Sequence, residues 1–333
     1  MTNTIKPKTK IKLGLIGASN IAAKVLPFIR RVPEIEIVAV AAERKDVARN
    51  FAKTHSIETA YDSYKECLDD SRIDAVYISN LTSDHAKTIK MALIANKHVI
   101  CEKPLVLTHS DAKELFALAE SKKLILLEGF MYRFHPQILK LKEIIASGEL
   151  GEIKSIRANF SFILYDLAKR PRRMTSVAGG GALFDIGCYL VDFINSVVGP
   201  GQFPIEIKKT HRVDPDDPNF DFATAAVLKY QSGVIAELST SLDMPNLNQW
   251  EVSGTRGSVS ALRFDSQGDQ PVPIYLVNDE SEATLIQCQS INNFEKQFES
   301  FARTVLGQAP AHIQPSESIQ NARLLERLSA NQT

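Results

Sequence analysis

The sequence predicts two unlike halves: a doubly wound parallel α/β sheet, then an α+β domain built on a mostly antiparallel open sheet. Two observations carry this. Through the first 130 residues, short unbroken apolar runs alternate with helical patterns, as βαβ crossovers covering both faces of a parallel sheet require. Beyond about Pro136 the rhythm changes to alternating strand patterns joined by hairpin-like turns. The length of 333 residues agrees, at about 150 residues per domain. The expected division is 1–130 for nucleotide binding and 131–333 for substrate binding and oligomerisation.

In chain order, Ile11 to Ile16 reads as a strand and about Asn20 to Arg31 as a helix. Ile35 to Ala41 is a second strand, followed by a helix from about Lys45 to His55. Ala75 to Ser79, His98 to Cys101 and Leu124 to Leu127 are further strands, separated by helices near Ser83 to Asn96 and Asp111 to Ser121. A helix over Gln137 to Ser147 and a long strand over Ile153 to Leu164 open the second half. The apolar segment Gly181 to Val198 reads as one helix, stopped by Gly199 and Pro200. Strands follow near Phe222 to Tyr230, Val234 to Ser241, Gln249 to Gly254 and Ser258 to Arg263, and two helices close the chain.

Composition excludes several classes. Lys plus Arg and Asp plus Glu are 39 each, so no global basic field exists to hold nucleic acid or an anionic membrane. No apolar run approaches the ~20 residues of a transmembrane helix, and the polar, basic N-terminus does not read as a signal peptide. Cys67, Cys101, Cys188 and Cys288 lack CxxC spacing, so no metal is expected and a reducing cytoplasm is.

The first strand runs into Gly17-Ala18-Ser19-Asn20-Ile21-Ala22, a GxSxxA variant of the dinucleotide fingerprint. Gly17 supplies the tight turn, Ser19 stands where bare backbone usually meets the pyrophosphate and could bond a phosphate itself, and Ala22 permits close helix packing. Asn20 and Ile21 open the helix whose N-terminus favours an anion. The second strand ends in Ala41-Ala42-Glu43-Arg44-Lys45. Glu43 lies near the position that bonds the 2′-hydroxyl of NAD, but Ala42 at the strand end, with Arg44 and Lys45 next, favours NADP; NAD remains possible.

The fifth strand ends in Cys101-Glu102-Lys103-Pro104. Together with Gly17 to Ala22, Asp74 to His85, the run Glu128 to Pro136 and Gly179 to Tyr189, this resembles the glucose–fructose oxidoreductase and inositol dehydrogenase family, in the branch of dihydrodiol dehydrogenases and sugar ketoreductases. The resemblance implies a Rossmann domain joined to an open-sheet domain and hydride transfer between nicotinamide and a hydroxyl or ketone carbon of a sugar or related cyclic polyol. It implies Lys103, Asp185 and Tyr189 as catalytic and substrate-binding residues, a cis bond before Pro104, and cofactor contacts from Asn80, His85, Glu102 and Lys103. Many family members carry His where this chain has Tyr189. A phenol, with a pKa near ~10, is a poor base but a competent proton donor, and the Lys103 ammonium would stabilise its phenolate.

Asp185, Tyr189, Asp192 and Ser196 follow helical spacing, so they line either a solvent-facing stripe or a site. Three glycines before that helix, Gly179 to Gly181, leave room for a substrate ring or form a flexible loop. Arg133 and His135 fit hinge packing or substrate contact equally. The basic run Lys169 to Arg173, Arg172 included, is either a solvated loop or a grip on an anionic substrate group. The acidic run Asp214 to Pro218 reads as a surface turn. The expected partners are a carbohydrate-like small molecule and a second copy or three further copies of the chain. The alternatives are a nucleotide-sugar ketoreductase and a non-catalytic nucleotide-binding regulator.

Overall fold

A computed structural model of the chain describes residues 9–164, 175–263 and 271–329. Two compact units emerge, and neither is continuous in sequence. The first takes Met1–Leu105, Lys113–Gly129 and Phe294–Pro315; the second takes Val106–Ala112, Phe130–Asn293 and Ser316–Thr333.

The first unit holds six parallel strands in the order β3-β2-β1-β4-β5-β6. They are β1 (Ile11–Ile16), β2 (Ile35–Ala41), β3 (Thr59–Tyr61), β4 (Ala75–Ile78), β5 (His98–Cys101) and β6 (Leu126–Glu128). Helices α1 (Asn20–Ile29), α2 (Lys45–Thr54), α3 (Tyr64–Asp69), α4 (Thr82–Ile94) and α5 (His109–Ser121) connect them. β1, β4 and β5 are buried almost throughout, which is why they read as near-continuous apolar runs. The strand order reverses between β1 and β4, the switch point where doubly wound sheets bind ligands. Part of the stretch expected in the second domain, Phe294–Pro315, belongs to this unit. The cause is aromatic: Phe294 stacks on Phe28 at 6.3 Å, and Phe298 meets Tyr77 edge-on at 5.2 Å.

The second unit is an eight-stranded sheet. After α6 (Pro136–Ala146) come β7 (Ile153–Ile163), α7 (Cys188–Val198), β8 (Glu206–Asp214), β9 (Asp217–Lys229), β10 (Ile235–Ser241), β11 (Asp243–Gly254), β12 (Gly257–Ala261), β13 (Val272–Asn278) and β14 (Ala283–Cys288). α8 (Asn293–Val305) and α9 (Pro315–Leu328) end the chain. The strand order is β14-β13-β12-β11-β7-β10-β9-β8. Every pairing is antiparallel except β7 with β10. α7 packs on β7 and β10. By length and composition the helical stretch Ser176–Val198 is apolar enough to cross a membrane, yet most of it is buried inside the fold. The acidic run Asp214 to Pro218 forms the β8–β9 turn, as expected.

The segment read as one helix from Gly181 is instead a five-residue π-helical turn, Leu183–Gly187, leading into α7. Such turns occur mostly inside α-helices, frequently at functional sites.

Candidate active site

The turn after β1 is built around Gly17. Its φ is +104°, and a Cβ there would stand 2.9 Å from the Asn80 nitrogen, so only glycine closes β1 against the start of the β4–α4 loop. Ser19 caps α1: its hydroxyl accepts from the Ala22 N–H at 3.1 Å and donates to the Ser79 hydroxyl at 2.9 Å. Ser79 in turn donates to the Gly17 carbonyl at 3.1 Å. The only proton of the Ser19 hydroxyl goes to Ser79 in this structure, so bonding a phosphate through it, as the sequence suggests, requires the hydroxyl to turn. Among the first-turn donors of α1, Ala22 and Ala23 bond Ser19; the Asn20 and Ile21 N–H groups are the ones an anion can take.

Asn80 gives its amide N–H to the Thr88 hydroxyl at 2.9 Å, while its buried Oδ1 has no hydrogen-bond partner among the described residues. An orphaned acceptor beside a glycine-lined turn suits a dinucleotide's hydroxyl or amide donors. At the end of β2, Ala42 is buried, and Glu43 and Arg44 are exposed. Arg44 occupies the N-cap position of α2, where its donor-only guanidinium cannot cap the helix N–H groups.

Lys103 follows the carboxyl end of β5, two strands from β1. The Lys103–Pro104 bond is cis, as the resemblance implied. Three contacts fix this loop. Glu102 accepts from the Tyr77 hydroxyl at 2.7 Å, the Leu105 N–H donates to Glu128 at 2.8 Å, and His85 Nδ1 bonds the Pro104 carbonyl at 3.0 Å. Burial raises the Glu102 pKa, and the neighbouring Lys103 charge opposes that rise. Burial lowers the His85 pKa, so a neutral ring donates from Nδ1 to the carbonyl. His85 lies inside α4, one per cent exposed. Its Nε2 has no partner among the described residues.

In the second unit, Asp185 sits within the π-helical turn and Tyr189 at the start of α7, both half-buried. The Tyr189 ring is packed edge-on against Phe130 at 5.7 Å and Tyr132 at 5.8 Å, and tilted against Phe160 at 5.9 Å. Its hydroxyl reaches the Met131 sulfur at 3.7 Å. The start of the turn is held by Asp221, which accepts from the Leu183 N–H at 2.9 Å and the Thr224 hydroxyl at 2.6 Å. Burial raises the Asp221 pKa against those bonds. Gly181, at φ +122°, presses against the Asp221 carboxylate where any Cβ would collide. The room at this glycine therefore holds Asp221 rather than a substrate ring.

Asp192 corrects the reading of a solvent-facing stripe, because it is fully buried. Arg133, one per cent exposed, forks onto it through Nε at 2.6 Å and Nη2 at 2.8 Å. Asn321 donates at 2.7 Å, and the Tyr132 hydroxyl donates as well. Arg133 also meets Glu317 at 3.1 Å. His135 caps α6, its Nδ1 accepting from the Gln137 N–H at 3.2 Å. Both residues therefore pack and cap. Arg172 and the rest of the Lys169 to Arg173 run lie outside the described residues. Sequence reasoning gave Tyr77 and Asp221 no role, and saw Glu128 and Asp192 only as members of the Glu128 to Pro136 run and of the polar stripe. Only Asp192 gave a signal, as a charge in an apolar helix.

Fold and turn chemistry define a nucleotide-binding oxidoreductase of Rossmann type carrying an open-sheet second domain. Residues 11–130 match the model of an oxidoreductase family with an NAD-binding Rossmann fold, and residues 138–260 match the GFO/IDH/MocA C-terminal domain. The trans-1,2-dihydrobenzene-1,2-diol dehydrogenase of Sus scrofa is 32% identical over 76% of this chain and 74% of its own. D-xylose 1-dehydrogenase (NADP(+)) 2 of Haloferax volcanii is 32% identical over 95% of each. A 3-ketoreductase from Actinomadura kijaniata, solved with NADP and TDP-benzene, superposes with a TM-score of 0.87 at 29% identity, covering 96% of this chain and 97% of that one. The chain belongs to the GFO/IDH/MocA oxidoreductase family.

Proposed function

We propose that the chain is an NADP-dependent dehydrogenase or reductase acting on a hydroxyl or ketone carbon of a sugar-like ring or cyclic diol. Its main support is the glycine turn at the switch point, with an orphaned Asn80 acceptor beside it and Lys103 two strands away in the same sheet. Gly17 and the Asn20 and Ile21 N–H groups would hold the pyrophosphate, Ala42 and Arg44 the adenosine 2′-phosphate, and Asn80, Glu102 and Lys103 the nicotinamide half. Ser19 serves through its backbone and its cap, and His85 by anchoring the loop after Lys103. The bound nicotinamide supplies or accepts the hydride. Tyr189 gives a proton to the nascent alkoxide in reduction and takes it back in oxidation. Lys103 favours the phenolate through its charge, and Asp185 bonds the substrate hydroxyl. NADP is supported by the cofactor named for two relatives.

A nucleotide-linked keto sugar is the second reading. It draws on the TDP-benzene in the related ketoreductase and on the basic run containing Arg172. A homodimer or homotetramer is supported by the open sheet face. Val227, Glu237, Arg157 and Glu251 form one cross-strand row there, and Arg157 bridges both acids at 3.6 and 3.7 Å with 56% of its side chain exposed. Four buried cysteines, none of them in a disulfide, accord with a reducing cytoplasm.

The test is a panel of D-xylose, trans-dihydrodiols and nucleotide-linked keto sugars with NADP(H) and NAD(H), followed by absorbance of reduced nicotinamide. Turnover of at least one ring substrate is expected. Tight NADPH binding without turnover across the panel would favour the non-catalytic regulator instead.

A further inference from the structure

Among the described residues, Phe130, Tyr132 and Phe160 pack on Tyr189, and of these three Tyr132 carries a side-chain hydrogen bond. Phe130 and Phe160 hold their positions by packing alone. Tyr132 packs on Tyr189 at 5.8 Å and on Phe130 at 6.1 Å, both edge-on, and its hydroxyl donates to Asp192. Asp192 lies three residues beyond Tyr189, so anchor and load share a face of α7. The anchor is itself immobile, since Arg133 forks onto it and Asn321 donates to it, all within the buried core of the unit. Tyr132 is fully buried, and burial together with the Asp192 charge raises its pKa well above the ordinary phenol value, so it remains a donor.

We propose that Tyr132 is a positioning residue for Tyr189: its bond to Asp192 fixes the ring that sets the tilt of the Tyr189 phenol. This rests on Tyr189 as the proton donor. Without the tether, the tilt of the Tyr132 ring is set by packing alone, and the phenol that leans on it loses part of its alignment with the substrate oxygen. Substrate and cofactor contacts stay as they were, so the loss falls on the chemical step.

Tyr132→Phe removes the tether and keeps the ring. The expected result is a kcat about 10-fold lower, within the up to ~10²-fold cost of a 1 Å misplacement. KM and NADPH affinity should change less than about 2-fold, and the solvent deuterium effect on kcat should grow, because proton transfer becomes more rate-limiting. In a Tyr189→Phe background, Tyr132→Phe should cost nothing further, since residues acting as a unit are not additive. Should Tyr132→Phe fail to fold, Asn321→Ala loosens the same anchor, with a smaller drop that also vanishes in the Tyr189→Phe background. An unchanged kcat in Tyr132→Phe, or an equal drop in both backgrounds, overturns the positioning role alone. Full activity of Tyr189→Phe overturns the donor assignment and the positioning role together.

Discussion

Replacing Arg133 with Met leaves the Asp192 carboxylate in a fully buried site without its ion-pair partner. Breaking a buried pair by removing one partner costs about 3–5 kcal/mol. Asp192 keeps two donors, Tyr132 and Asn321, which places the expected loss near ~3 kcal/mol. The Glu317 contact adds little, because that carboxylate reaches water at 22% exposure. For a unit of this size the loss corresponds to a fall of about 6–12 °C in its melting transition. Scanning calorimetry of Arg133→Met beside the parent reads it directly. The double variant Arg133→Met with Asp192→Leu should recover most of the loss, because an apolar pair removes the stranded charge. A single-variant loss under about 1 kcal/mol, or a double variant worse than the single one, would show that the ion pair does not hold the 3₁₀ turn Met131–Phe134 to α7.

Arg44→Ala should narrow an NADPH-over-NADH preference of about 1–3 kcal/mol, the worth of hydrogen bonds to a charged phosphate; equal affinities in the parent would assign the site to Glu43. Burial pushes the His135 pKa down to about 4, from the ordinary imidazole value of ~6.5. Between those values the unfolded chain binds more protons, so stability from this residue is present above pH ~6.5 and is lost as pH falls toward ~4. His135→Asn, which keeps a capping acceptor, should flatten that slope in urea titrations at pH 7 and 5; an unchanged slope refutes the role. Light scattering at micromolar concentration should give a dimer or tetramer, and a monomer would contradict the proposed covering of the Arg157 face.

The sequence was most legible where burial is two-sided. β1, β2 and β5 are mostly apolar, and their bounds agree with the sequence reading. β3, Thr59–Tyr61, has three residues, all half-buried, so no periodicity marks it. β8 alternates Ile207, Lys209 and His211 with exposed Glu206, Lys208 and Thr210 on a sheet edge, and its polar side masks the strand. The motif residues Gly17, Lys103, Asp185 and Tyr189 stood out because their chemistry is local. Their supports did not. Arg133 and Asp192 are 59 residues apart, and a helical wheel through Gly181 to Val198 assumes a single period that the π-helical turn breaks. A polar stripe on such a helix signals water or a site only after its partners are known; for Asp192 the partner is a buried guanidinium.

Proton transfer by Tyr189 is the central claim, and single-turnover kinetics of Tyr189→Phe tests it most directly. The substitution keeps the ring among Phe130, Tyr132 and Phe160 and removes the one oxygen assigned to acid–base work. Turnover should fall by about 10²–10⁴ with NADPH binding intact, the usual worth of general acid–base catalysis. Under the role proposed for Lys103, favouring the phenolate, adding Lys103→Met should then cost little more. Near-full turnover of Tyr189→Phe, with chemistry rate-limiting, would contradict the account and leave Lys103, Asp185 or a water between them as the donor.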